Sequence, residues 1–92
     1  MALTPQARET FTRLFGAEPQ PHPTDPELFD ILQNEIFDEA FSTGVLTDVE
    51  RELLTVSVLT AMQTLPQLKA HAGAALNIGA TPLQLRETIY QC

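Results

Sequence analysis

The chain has 92 residues, of which 43% are hydrophobic and only 7% aromatic, and twelve Asp and Glu against five Lys and Arg leave a formal charge of −7. That length makes one compact domain with a small aliphatic core and excludes a stand-alone two-domain enzyme. The charge has the wrong sign for a surface that neutralises nucleic-acid phosphates or docks on anionic lipid, so neither nucleic acid nor a membrane is expected as a partner.

Helix start signals recur along the chain at Thr4-Pro5, Thr24-Asp25-Pro26-Glu27, Thr47-Asp48-Val49-Glu50 and Thr81-Pro82-Leu83-Gln84. The last three have capping-box spacing, with Thr as cap and Glu or Gln three residues on, and Pro5, Pro26 and Pro82 sit where a missing N–H costs nothing. Gly44 and Gly79 are the matching stops. The first segment spaces Ala7, Phe11, Leu14 and Phe15 at a helical period. Between it and the second lies AEPQPHPTDP, residues 17–26, whose four prolines favour an extended connector, so the first helix is expected to pack away from the main body, as on another subunit. The second segment places Leu28, Phe29, Leu32, Ile36, Phe37 and Ala40 on one stripe.

The third segment, Asp48 to about Thr64, is apolar on nearly every face after its first turn and is expected in the middle of the fold. The fourth, Pro66 to Ile78, puts Leu68, Ala72, Ala75 and Leu76 on one side, with small Ala70, Gly73 and Ala74 that admit a close neighbour; a tight helical hairpin with the third follows. The fifth starts at Pro82. No segment alternates like a half-buried strand, so the fold class is all-α: about five helices around a central hairpin. The division is an N-terminal helix over 1–16, a proline-rich connector over 17–26 and a helical core over 27–92. Cys92, the one cysteine, gives no CxxC pair and no cysteine zinc site, and MALTPQARETF meets charge before any apolar leader forms, which reads as a cytoplasmic protein.

Ionisable residues within the apolar helices are few. Glu52 shares a helix face with Val49, Val56 and Leu59, so its carboxylate is either turned partly inward, where burial suits proton transfer, or serves as an early-turn acid facing the helix dipole. His71 stands at the edge of the fourth segment's apolar stripe and is placed to meet Glu52 across the hairpin; otherwise it is a half-buried histidine satisfied by a backbone carbonyl. His22 lies in the connector and reads as solvated. Arg51, Lys69 and Arg86 are the cations near enough in sequence to hold an anion. A lone helical His is a poor metal signal, Ser42 and Ser57 lack a nucleophile elbow, and no glycine-rich phosphate loop is present; neither metal nor cofactor is expected.

From Arg51 to Cys92 the sequence RELLTVSVLTAMQTLPQLKAHAGAALNIGATPLQLRETIYQC resembles the core of the carboxymuconolactone decarboxylase family. The resemblance rests on the Arg-x-Leu-Leu-Thr start, Gln-Leu-x-x-His, Ala-Leu-Asn-x-Gly-Ala-Thr, and the Leu-x-Glu and Ile-Tyr-Gln near the end. It implies a helical, alkylhydroperoxidase D-like domain that self-associates, often as a hexamer of three dimers, with sites near subunit interfaces. It further implies cofactor-free decarboxylation of a small anionic lactone in aromatic catabolism, with His71 as the catalytic histidine and Arg51 as the substrate-binding arginine. Loss of CO₂ leaves an extended enolate that a cation or donor must stabilise and an acid must reprotonate. Members usually continue past the Tyr-Gln into a further helix, so a longer product or a partner completing the fifth helix is expected.

The related alkylhydroperoxidase D proteins carry a Glu, Cys, Cys, His set whose spacing here falls on Glu52, Thr64, Gln67 and His71. That branch implies Glu52 as the residue orienting the histidine, whereas its thiol mechanism lacks both sulfurs. The reading is a decarboxylase-like lyase with His71 and Glu52 as its proton-transfer pair. The alternatives are a thiol-independent relative of the family's peroxiredoxin-type enzymes, or a non-catalytic helical oligomer that binds a ligand.

Overall fold

In the computed structural model, which describes residues 2–92, helix α1 (Pro5–Phe15) begins where the Thr4 hydroxyl accepts from the Ala7 N–H at 3.1 Å. It ends at Gly16, whose φ of 72° returns its N–H to the Thr12 carbonyl at 2.8 Å. Helix α2 (Pro26–Asn34) runs on into a π-helical segment, Glu35–Ala40, and a 3₁₀ turn, Phe41–Thr43. Helices α3 (Asp48–Met62), α4 (Leu65–Asn77) and α5 (Pro82–Gln91) complete the chain, with no strand among the described residues. The contacts divide the chain into two units, Met1–Val45 and Leu46–Cys92.

In the first unit α1 is not detached. Its apolar stripe has to leave water, and the π segment supplies the partner: Phe11 and Phe15 meet the Phe37 ring edge-on at 5.6 and 5.9 Å between centroids. Leu14 and Phe37 are buried. A polar clamp secures the same junction. The Thr4 N–H donates to Asn34 Oδ1 at 2.9 Å, the Thr4 hydroxyl to Asp38 Oδ2 at 2.7 Å, and the Asn34 amide to the Ala2 carbonyl at 3.1 Å. The Ser42 hydroxyl takes the other Asp38 oxygen at 3.3 Å. The proline connector is also tied back, by a buried Pro19 and an exposed Arg8–Glu18 ion pair at 3.2 Å.

The capping box expected at Thr24 is absent. Asp25 is the cap of α2, accepting from the Leu28 N–H at 3.1 Å. His22 explains the displacement: its Nδ1 accepts the N–H groups of Thr24 and Asp25, both at 3.2 Å, and lies 3.1 Å from the Thr24 hydroxyl. His22 is exposed, as read from the sequence, yet it is bonded and sits 5.6 Å from the Phe29 ring.

In the second unit both expected boxes form. Thr47 accepts from Glu50 N–H at 3.1 Å while Glu50 accepts from Thr47 N–H at 2.8 Å; Thr81 and Gln84 do the same for α5 at 3.0 and 2.9 Å. Helices α3 and α4 form the expected hairpin, and α5 packs on both. α3 stops at Gln63, a non-glycine residue with φ of 58°, ahead of Pro66. α3 is not enclosed: Val56 is fully buried, but Leu54, Val58 and Met62 are more than half exposed. Three helices cannot surround one of their own number. The close approach of α4 uses Ala74 and Ala75, both buried, whereas Ala70 and Gly73 face outward.

Candidate active site

Capping chemistry decides which acid of α3 is spare. Asp48 and Glu50 occupy its first turn, and Glu50 closes the capping box through one carboxylate oxygen, so the helix N-terminus has its negative charge without Glu52. Glu52 is the fifth residue of the helix and one turn before Val56, on the face turned inward; it is 2% exposed. A buried carboxylate needs a donor.

His71 supplies it from the seventh position of α4, across the hairpin. Its Nδ1 lies 2.8 Å from Glu52 Oε1, and the histidine side chain keeps 17% of its surface. An ionised carboxylate only accepts, so Nδ1 carries the hydrogen, and the basic lone pair of the neutral ring is therefore on Nε2. The pair is bedded in aliphatic side chains one turn along each helix: Val56 below Glu52, Ala74 and Ala75 below His71, all buried. A fixed ring, a fixed tautomer and a partly accessible imidazole are what general acid–base chemistry requires.

Arg51 precedes Glu52 on α3, about 100° round the helix axis, and is half-buried. The structure thus brings Glu52 and His71 into contact and sets Arg51 next to Glu52 in the chain. The two positions at thiol spacing lie in the opening turn of α4: Thr64 is its cap residue, with a buried hydroxyl that has no hydrogen-bond partner among the described residues, and Gln67 is exposed. Neither supplies a thiolate. No group of three His, Cys, Asp or Glu side chains close enough to hold a metal ion occurs among the described residues. No helix of the described residues is long and apolar enough to cross a membrane.

No motif in the sequence gives Cys92 a role. The structure places its Sγ 3.5 Å from the Ser57 carbonyl, beside an open cleft between α3 and α5. The only sequence signal for that cleft is the spacing of Glu50, Leu53, Leu54 and Ser57 along one helix face.

No curated protein and no solved structure matches the chain. The sequence profile that does match covers residues 26–92, from the proline opening α2 through α5, and on that span, well over half of the chain, the protein belongs to the carboxymuconolactone decarboxylase family.

Proposed function

We propose that the protein is a cofactor-free, decarboxylase-like lyase acting on a small anionic lactone or related carboxylate, with His71 as acid and base, Glu52 as its positioning residue and Arg51 as the anion's counter-charge. The observation that carries this is the 2.8 Å contact between His71 Nδ1 and Glu52 Oε1, made by a carboxylate that is 2% exposed. Membership of the family supports decarboxylase-like or alkylhydroperoxidase-like chemistry in general, and the absence of sulfur at Thr64 and Gln67 favours the first over the second.

In this reading the bond between the substrate's carboxylate carbon and the ring breaks, CO₂ leaves, and the electron pair passes into the conjugated lactone carbonyl. Nε2 of His71 takes up a proton from solvent, hands it to the carbon of the resulting enolate and returns to its lone-pair form. Glu52 accepts from Nδ1–H throughout, so the ring does not rotate during the transfer. The same reading takes the protein as cytoplasmic and as self-associating, in a hexamer or trimer of dimers. Exposed Val58, Met62 and Leu65, which extend along α3 onto the start of α4, support the association.

The test is CO₂ release from 4-carboxymuconolactone by the parent and by His71→Ala. Turnover falling about 10²- to 10⁴-fold in the variant fits a lost proton-transfer group. Equal rates, or no turnover by the folded parent on a panel of lactone carboxylates, reject the assignment. Sedimentation of the same preparation reads the association state; a monomer at assay concentration rejects that part.

A further inference from the structure

The proposed chemistry leaves unused a cleft of about 670 Å³ in the second unit, in the size range of small-molecule sites. Its lining combines the apolar side chains of Leu46, Leu53 and Leu54 with the carboxylates of Glu50 on α3 and Glu87 on α5. On α3 the lining residues follow the spacing 50, 53, 54, 57, which puts them on the face turned away from Glu52 and Val56. The cleft and the His71–Glu52 pair are therefore separate places in the fold.

Its charge is one-sided. Its two charged side chains, Glu50 and Glu87, are carboxylates, and none of its residues is basic. Glu50 has no ion-pair partner among the described residues; its carboxylate is fixed by the Thr47 N–H at 2.8 Å. That bond, with a second from the Thr47 hydroxyl, holds the Glu50 carboxyl below its ordinary range, so it stays charged at neutral pH. Glu87 has Arg86 at 3.7 Å, an exposed and loose pair, and the Arg86 guanidinium is drawn over the Tyr90 ring at 5.7 Å.

We propose that this cleft binds a small organic cation with an apolar body, an alkyl- or arylalkyl-ammonium, whose charge sits between Glu50 and Glu87 and whose tail lies on the leucines. Charge complementarity selects this occupant. A second copy seated face to face would bring one pair of carboxylates toward another, and an anion would meet two carboxylates with no cation in the lining.

Cys92 makes the test direct, because its thiol lines the same cleft and is the chain's one cysteine. Alkylation of the full chain by iodoacetamide is followed with hexyltrimethylammonium, butyltrimethylammonium, hexanesulfonate or 1-hexanol added, for the parent and for Glu50→Gln/Glu87→Gln. Gln84 already serves as the capping partner of Thr81, so Gln at position 50 preserves the cap of α3 while removing its charge. Saturable protection by the hexyl cation is expected, weaker by about fifteenfold for butyl at roughly fourfold per buried CH₂. Hexanesulfonate is expected to protect at least tenfold less well. The double variant should lose at least tenfold in affinity for the cation while 1-hexanol acts on both proteins alike. Equal protection by sulfonate and ammonium, no protection by any probe, or full affinity in the double variant overturns the proposal. So does slowing of alkylation by protein concentration alone, which would seat a second copy on the face.

Discussion

Removing either member of the Glu52–His71 pair strands the other, and the two strandings are unequal. His71→Leu leaves a carboxylate that is 2% exposed with its Nδ1–H donor gone. Glu52→Leu leaves an imidazole that still has 17% of its surface in water to satisfy it. Breaking a buried charged pair from one side costs about 3–5 kcal/mol, whereas an unsatisfied neutral donor costs about 1–3 kcal/mol, less where water reaches it. His71→Leu should therefore be the worse variant by about 2 kcal/mol. Replacing both with leucine removes both stranded groups and should recover most of the loss. Thermal unfolding by far-UV circular dichroism at one fixed protein concentration reads all three; about 4–8 °C per kcal/mol is expected for a chain of this size. Should Glu52→Leu melt at or below His71→Leu, or should the double variant show the sum of the single losses, the pair is not the buried, mutually satisfied unit described here.

Glu50 and Gln84 hold equivalent positions in two capping boxes, and only the first titrates. Because the folded state holds the Glu50 carboxyl below its ordinary value, through the Thr47 N–H first and the Thr47 hydroxyl second, its contribution is complete above the unfolded carboxylate range. It is lost as pH falls through the folded value. Glu50→Gln should flatten that acid limb of the stability curve, measured as Tm against pH; an unchanged limb counts against the box as its source. Asp25→Ala should cost about 1 kcal/mol by loss of the α2 cap, and Thr24→Ala clearly less, in urea titrations; the reverse order would restore Thr24 as the cap. Phe37→Ala removes the ring that both Phe11 and Phe15 meet and should cost about 3–5 kcal/mol, and a loss under 1 kcal/mol would mean that α1 is held by something else.

What the sequence makes legible follows the range of the forces involved. The boxes at Thr47 and Thr81 are local exchanges within four residues, and both form as read. At Thr24 the same pattern fails, because a histidine two residues upstream takes the Thr24 N–H that the box would need, a side-chain bond that spacing rules do not weigh. The switch from α2 to a π segment has no signal in the apolar stripe, which continues through Ile36, Phe37 and Ala40 in either geometry. The docking of α1 was obscured by four prolines: they do forbid helix in the connector, but they say nothing about which surface the helix before them prefers. Helical spacing and the family resemblance together placed Glu52 opposite His71, and the contact is there. The cleft lined by Leu46, Leu53 and Leu54 is not legible in the sequence, because its two walls come from segments about 35 residues apart, joined only by the fold.

The clamp at Thr4 also orders events during synthesis. An isolated helix of eleven residues is marginal in water, and the side chains that fasten α1, Asn34 and Asp38, are made 30 and 34 residues after Thr4. At ribosomal rates of about 5–20 residues per second, the first helix waits roughly two to seven seconds for its anchor. Helix α1 is thus made before the residues that secure it, and Phe11 and Phe15 have no ring to pack on until Phe37 follows.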